Sequence, residues 1–418
     1  MNATPPYRLV TGPWKTLGKD AGAVRTEVFV REQKIPVDLE WDAWDERSLH
    51  CVAYHEGQPV GTGRLLPDGH IGRMAVLPAH RRSGLGGMVL RTLVDAAAAS
   101  GLLEVELSAQ AYVAQFYMRH GFVPEGKPYD EVGIPHLRMR RTLLVRGERD
   151  DDMPDGTQLR VRDWRPTSAR GPGVYLLHGL GEHGGRYEAL ARWFAARGWR
   201  VQTHDHVGHG ASGGARGVIA HPRQVLEHAQ RRVTAFAADL GRPPLLLGHS
   251  MGGALAAQLV VSGAVTVDGL VLSSPGLDPG LNGFQRLLLG VLERLAPGLA
   301  VGNGLNPDFI SHDPAVVRAY RDDPLVHDRI SARLLRWLID AGSEALQGAG
   351  ALAVPTLLLV AGADRLVRAE ASRAFAERAA AQLLTLRWYD TLYHELFNEQ
   401  SEDRARVLTD LAAWLERC

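Results

Sequence analysis

A short apolar run, Pro244 to Leu247, leads into Gly248-His249-Ser250-Met251-Gly252, and an Ala- and Leu-rich stretch follows. Strand, sharp turn and helix in that order are the local geometry that suits such a sequence, and G-x-S-x-G at the junction has the form of a nucleophile elbow. A serine hydroxyl is a poor nucleophile at neutral pH. The chain must present it on a tight turn, give it a base, and aim donors at the oxygen that becomes negative. Glycines on both sides let the turn close without a Cβ clash. Ser250 is therefore the candidate nucleophile.

The surroundings agree with a sheet that could carry such a turn. Val174 to His178, Val201 to His204, Leu245 to Leu247, Gly269 to Ser273 and Thr356 to Val360 read as short buried strands with helical stretches between them. That alternation predicts a parallel sheet with helices on both faces. The stretch 275–352 breaks the alternation, is rich in helix signals, Gly and Pro, and is read as an inserted cap. Asp364 falls just past the strand Leu357 to Val360, where such sheets place functional groups. His394 stands in Tyr393-His394-Glu395-Leu396-Phe397, before the last helical stretch. The order Ser, Asp, His is that of this sheet type, with Ser250 attacking, His394 taking its proton and Asp364 fixing the imidazole. Met251, after the nucleophile, and Leu180, in His178-Gly179-Leu180-Gly181, are the candidate oxyanion donors.

HGLGEHGGRY (178–187), DHVGHGASGG (205–214), GHSMGG (248–253), GADRLV (362–367) and YHELFNE (393–399) together resemble the monoacylglycerol lipase and lysophospholipase branch of the α/β-hydrolases. The resemblance covers roughly 155–418. It implies an eight-stranded, mostly parallel sheet, a helical cap, no cofactor, and hydrolysis of carboxylic esters with a lipid-like acyl chain. It also implies that Glu182 and Arg186 lie near the alcohol-binding end as substrate-binding residues; four apart, the two could equally pair as ions. Asp364 has a second reading as a helix N-cap, and Ser250 one as a relic in a degenerate enzyme. His204, His206 and His209 nearly make a zinc pattern, but Gly208 stands where an Asp ligand is needed, so packing rather than a metal is expected. A thioesterase is the alternative activity.

The first half, 1–145, reads as a separate α+β domain with a mixed sheet. Leu49 to His55 and Val60 to Leu66 are strands joined at Glu56-Gly57, Ile71 to Val76 is a third strand, and Gly84 to Ser100 is a helix with Leu85, Met88, Val89, Leu93 and Val94 on its apolar side. A strand, Leu103 to Leu107, and a helix, Tyr112 to Arg119, follow. Arg81-Arg82-Ser83-Gly84-Leu85-Gly86-Gly87 joins strand to helix, and glycines there let backbone N–H groups approach a pyrophosphate at a helix N-terminus. With IGRMAVLP (71–78) before it and QAYVAQFYMRHGF (110–122) after it, this segment resembles the GNAT acetyltransferases over about 7–141, and VFVREQ (28–33) resembles a bacterial branch of them with unassigned substrates. The resemblance implies acetyl-CoA as co-substrate, with backbone groups of Met74, Ala75 and Val76 on the pantetheine arm, Arg81, Arg82, Ser83, Gly84, Leu85, Gly86 and Gly87 around the pyrophosphate, and Tyr117 protonating the departing thiolate. Tyr117 could instead be core packing. No carboxylate sits on strand 71–76; Glu32 ranks first as base, before Asp42, Asp45 and Glu46. The stretch Asp38 to Glu46 reads as a solvated loop or as a site for a cationic amine.

The sum is a bifunctional enzyme, a carboxylic ester hydrolase and an N-acetyltransferase, or a hydrolase regulated by a non-catalytic acyl-CoA-binding module. Zero formal net charge, with no basic run, argues against nucleic acid. Two cysteines, Cys51 and Cys418, make no disulfide framework, and Met1 to Thr11 lacks a signal-peptide pattern, so a cytoplasmic setting is expected. The polar segment 147–156 reads as a linker or a surface hairpin, with the hydrolase domain taken as 155–418. Around Phe284 to Leu295, apolar Leu287, Leu288, Leu289, Val291, Leu292 and Leu295 either cover the pocket or touch a membrane surface. Acyl length, amine acceptor and oligomeric state stay open.

Overall fold

The computed structural model describes residues 7–131, 133–167 and 171–417; Cys418 lies outside them. The chain divides into two compact units, with the boundary between Val145 and Arg146.

In the first unit, Arg8–Pro13, Leu49–His55, Gln58–Leu65 and Ile71–Val76 make an antiparallel four-stranded sheet in that order. Side chains of a strand alternate between faces. Val52 packs with Leu17 and Ala21 of helix Trp14–Arg25, whereas its neighbours Cys51 and Ala53 pack with Leu85, Val89 and Leu93 of helix Leu85–Ala99. The sheet is thus covered on both faces. A second sheet, Glu104–Gln110, Ile134–Thr142 and Val123–Glu131 in that order, is also antiparallel. A single parallel bridge, His70 to Glu106, links the two sheets among the described residues. Beyond it the edge of Ile71–Val76 stands open. Arg73 and Met74 form a bulge opposite Gly63, with Arg73 at φ +52°.

The second unit holds an eight-stranded sheet in the order Leu384–Tyr389, Thr356–Ala361, Gly269–Ser273, Leu245–His249, Gly173–Leu177, Arg200–His204, Gln158–Pro166, Leu144–Asp152. The first six are parallel, and Gln158–Pro166 runs against them. The continuous apolar runs of the central strands are buried on both faces, as a covered parallel sheet requires. The chain leaves Gly173–Leu177 for a strand on one side and later returns to its other side. The C-terminal ends at such a switch point form a crevice, and His178, Ser250 and Asp364 follow three of these ends.

Two expectations are refined. The segment 147–156 takes the surface-hairpin reading and not the linker: its first part belongs to the edge strand Leu144–Asp152, beside Gln158–Pro166, and the turn closes through Met153 N–H on Thr157 O. The stretch 275–352 is not all cap. Helix Ala332–Gly348 packs on helix Met251–Val261, and its Leu334, Trp337, Leu338, Ala341 and Ala345 join the main core. What remains outside the core is helix Gly283–Leu295, strand Ala300–Gly302 and helix Pro314–Asp322, while strand Arg329–Ser331, paired with Ala300–Gly302, sends Ile330 into the core. No strand signal separates these parts, so the sequence ran them together.

Candidate active sites

Ser250 sits at φ 53°, ψ −120°, between strand Leu245–His249 and helix Met251–Val261. Its neighbours explain how the turn holds. A Cβ on Gly252 would lie 2.2 Å from Leu177 O, and one on Gly248 would lie 2.2 Å from Gly252 O, so both positions exclude any side chain. The Ser250 carbonyl accepts Gly253, Ala254 and Gly276 N–H, and its own N–H donates to Ser273 O at 3.1 Å. The strain is over-determined by its surroundings.

Ser250 and His394 line one cavity of about 300 Å³ together with Gly179, Leu180, Glu182, Tyr320 and Glu395. His394 Nδ1 faces Asp364 Oδ2 at 2.6 Å, and both side chains are almost fully buried. Leu366 and Val367 N–H donate to the other Asp364 oxygen at 2.8 and 3.1 Å, an N-cap-like arrangement that leaves Oδ2 for the imidazole. Burial alone would raise the Asp364 pKa, but the adjacent His394 and these donors hold it below the ordinary carboxylate value. Burial alone would lower that of His394, and Asp364 outweighs it, so the imidazole is the more basic.

The loop after Gly173–Leu177 is equally constrained. His206 N–H donates to His178 Nε2 at 2.9 Å, so the neutral ring carries its proton on Nδ1 and gives it to Gly179 O at 2.8 Å. In a trans peptide, C=O and the next N–H point in opposite directions, so this bond sets the direction of Leu180 N–H. A Cβ on Gly179 would lie 3.2 Å from the Ser250 Cβ, which places the loop against the candidate nucleophile. Met251 opens its helix, where N–H groups lack intrahelical partners.

Glu182 and Arg186 are indeed an ion pair, at 2.6 Å, and Arg186 is also bidentate on Glu395. Glu182 reaches the cavity wall; Arg186 is spent on carboxylates. Glu395, within the YHELFNE motif, went unread in sequence because its partner lies 209 residues away. The histidine cluster is a packed stack. His204 bonds Tyr175 at 2.8 Å, His209 bonds Val207 O at 3.0 Å, and the His178 and His206 rings lie 4.1 Å apart.

In the first unit, Met74 to Val76 lie on an edge strand that pairs with Gln58–Leu65 on one side and, among the described residues, with no strand on the other, where Val76 O accepts Arg81 Nε at 2.9 Å. The loop after it bends through Arg82 at φ 61° and Gly84 at φ 86° into helix Leu85–Ala99. Ser83 Oγ donates to His80 O and accepts Leu85 N–H, which shapes the loop. Gly86 lies beside Phe116, which brings the Tyr117 segment to the start of this helix. Burial pushes the Tyr117 hydroxyl up to about 12, so the phenol stays protonated.

The base candidates fare differently. Glu32 is locked on Arg81 through two bonds of 2.7 and 2.5 Å, and the Arg81 hydrogen bonds hold its carboxyl below the ordinary value. The pair is solvent-exposed, about 40% on each side, and engages both side chains with each other. The stretch Asp38 to Glu46 is solvated only in part: Asp38, Leu39, Ala43, Trp44 and Glu46 are exposed, while Glu40 and Asp45 are buried. Glu40 and Asp45 clamp buried Arg25 at 2.5 and 2.7 Å, and Asp42 and Asp45 hold Arg64 at 2.6 Å each. Trp41 covers Arg25 at 4.5 Å. Three internal arginines, Arg73 included, were too far off in sequence to be seen as partners.

The family model "Serine aminopeptidase, S33" matches residues 171–401. The chain belongs to this family. The model "Acetyltransferase (GNAT) domain" matches residues 19–143. A monoacylglycerol lipase of Mycolicibacterium smegmatis is 38% identical over 268 residues, covering 62% of this chain and 93% of that protein. An uncharacterized N-acetyltransferase of Bacillus subtilis is 42% identical over 127 residues, covering 29% of this chain and 91% of that protein. The crystal structure of Paleococcus ferrophilus monoacylglycerol lipase matches with TM-score 0.55 and 32% identity over 66% of this chain and 99% of that one. The chain therefore joins a monoacylglycerol-lipase-like hydrolase to a GNAT domain of the kind that uses acyl-CoA, and both families are enzymes.

Proposed function

We propose that the second unit hydrolyses lipid-type carboxylic esters, monoacylglycerols first, through Ser250, His394 and Asp364. The observation that carries this is the 2.6 Å Asp364–His394 bond opening onto the cavity that Ser250 lines. His394 Nε2 takes the Ser250 proton as Oγ attacks the ester carbon. Leu180 and Met251 N–H hold the oxyanion, worth about 3 kcal/mol for each donor. His394 then protonates the leaving alcohol, and water, activated by the same imidazole, releases the acid. Glu182 and Glu395 against one Arg186 leave the wall negative, which favours an uncharged glyceride over an anionic lysophospholipid. Exposed Phe284, Leu287 and Leu295, at 73, 67 and 80% accessibility, offer the cap to a lipid surface. Comparing hydrolysis of monoacylglycerol, lysophospholipid and matched thioester by the full chain tests the reading; a preference for the thioester would move it to acyl-CoA hydrolysis.

The first unit, on this reading, is an acetyltransferase acting on an amine. Acetyl-CoA supplies the acetyl group as a thioester. Met74 to Val76 would pair with its pantetheine amides, the backbone of 82–87 would face its phosphates, and Tyr117 would hand a proton to the thiolate. One observation favours a second reading, an acyl-CoA-binding regulatory module: Glu32, Asp42 and Asp45 are all engaged by arginines. Acetyl transfer to any amine, lost in Tyr117→Phe, would exclude it. The buried, unpaired Cys51 suits a reducing cytoplasm. Among the described residues no helix is long and apolar enough to cross a membrane.

A further inference from the structure

The cavity wall beside His394 holds a charged network that hydrolysis as described leaves unused. Glu182 and Glu395 line the cavity, yet their side chains are only 4 and 6% exposed. Arg186 Nη1 donates to Glu182 Oε2 and Glu395 Oε1, both at 2.6 Å, and Nη2 to Glu395 Oε2 at 2.8 Å. Glu182 Oε1 accepts Gly179 N–H and Tyr187 O–H, again at 2.6 Å. Asn398 donates to Glu395 Oε2 at 2.9 Å, and Tyr320 from the cap covers the guanidinium at 4.6 Å.

Two carboxylates against one guanidinium leave one negative charge in excess. Such burial is costly, and apolar residues of similar volume often serve stability better. The two ends of the network suggest why these residues stand here. At one end Glu182 holds Gly179 N–H, while His178 holds Gly179 O. The residue that precedes the Leu180 donor is thereby fixed on both sides. At the other end Glu395 follows His394 in the chain, and its N–H donates to Ile310 O at 2.8 Å.

We propose that Glu182, Arg186 and Glu395 form a positioning clamp, in which Glu182 aims the oxyanion loop and Glu395 sets the His394 loop and places the network's excess negative charge beside the imidazolium that forms there. The proposal rests on the hydrolase reading above. Groups facing His394 include Asp364 on Nδ1, the His249 ring at 4.7 Å, and Glu395 and Glu182, with Arg186, Tyr187 and Tyr320 behind them. His312 and Arg365 lie against the ring of the preceding Tyr393, with His312 also bonded to Glu399 and Arg365 over Phe309. Burial pushes His249 down to about 3, so it adds no charge at working pH. Asp364, then Glu395 and Glu182, outweigh burial and raise the His394 pKa. Removing an anion should lower it, and the base would then stay active to lower pH.

The test is the pH dependence of kcat/KM for a soluble p-nitrophenyl ester, on the full chain. Glu395→Gln keeps the shape and an acceptor for Arg186; its acid limb should move down by about one pH unit. Glu182→Gln sets an amide donor against the guanidinium; kcat should fall about tenfold with KM nearly unchanged. Tyr187→Phe removes one donor to Glu182 without changing charge, and should lower kcat about threefold while the limb stays in place. It serves where a charge variant fails to fold. Limbs and kcat values that match wild type would overturn the clamp and leave a structural ion pair. Fluorophosphonate labelling of the wild type separates the two claims: a labelled wild type with unmoved variants sinks the clamp alone, and an unlabelled wild type sinks the hydrolase reading and the clamp with it.

Discussion

The two halves of this chain both bury paired charges, Arg162 with Asp205 and Arg186 with Glu182 in the second, but they differ in what else they bury. The first unit buries full charges and pairs them: Arg25 and Arg64, 1 and 5% exposed, are enclosed by Glu40, Asp42 and Asp45. The second buries imidazoles beside its sheet and keeps them neutral: burial lowers the pKa of His178, His204, His206 and His209, with His206 pushed down to about 4. A guanidinium cannot lose its proton in a protein, so it needs a carboxylate; an imidazole avoids the desolvation cost by staying uncharged. The first unit answers acid through buried Glu40, whose pKa burial raises, and His50, whose pKa burial lowers, and the second chiefly through its histidines. The lesson is that two units of one chain can answer differently to the same change of pH.

The largest expected effect is chemical. Ser250→Ala should cost about 10⁴-fold or more in ester hydrolysis and leave acetyl-CoA binding by the first unit intact; loss of both together would show that the units are not separable. Next, Arg25→Met takes the most buried cation from Glu40 and Asp45, leaving them Arg73 and Arg64, and should destabilise the first unit by about 3 kcal/mol. Thermal loss of acetyl-CoA binding should then come earlier while esterase activity holds. Mild acid should do the reverse. A histidine whose folded pKa is depressed leaves the unfolded state binding more protons, so stability present above about pH 6.5 is lost as pH falls, at about 1.4 kcal/mol per pH unit per group. For His206 that loss runs from about 6.5 down to about 4. His394, whose pKa is raised, acts in the opposite sense, but against seven of this unit, since His228, His249 and His327 are lowered as well. Melting followed by esterase activity at pH 7 and pH 5 should therefore fall further than melting followed by acetyl-CoA binding; equal falls would break the comparison. Smallest, Tyr117→Phe should lower acetyl transfer about 10² fold with acetyl-CoA affinity kept.

Local patterns made much of this legible. The apolar strands that the structure places at Gly269–Ser273 and Thr356–Ala361 stand out because they are buried on both faces. Val123–Glu131 carries no such signal, since every residue of it is exposed and its side-chain contacts, such as Glu125 with Arg140 and Tyr129 with Ser108, are polar ones at the surface. Leu384–Tyr389 is a half-buried edge strand, and an edge needs little hydrophobic pattern. The same division holds at the sites. Ser250, Asp364 and His394 each sit in a short motif. The ring of partners around them does not: Arg186 finds Glu395, Arg81 finds Glu32, and Arg25 finds Asp45 only through the fold. Charged residues that look free along the chain are consumed by partners that periodicity cannot locate. The partners of Glu40 and Asp45 within 38–46, and that of Glu32, lie where only the fold brings them.

The account stands on one serine. The full chain and Ser250→Ala should be treated with a fluorophosphonate, digested, and the modified peptide mapped. Modification of the peptide carrying Gly248 to Gly252 in the wild type, and none in the variant, is the expected result. An unmodified wild type, or a variant modified as readily, would contradict the assignment of Ser250, His394 and Asp364 as the machinery of ester hydrolysis.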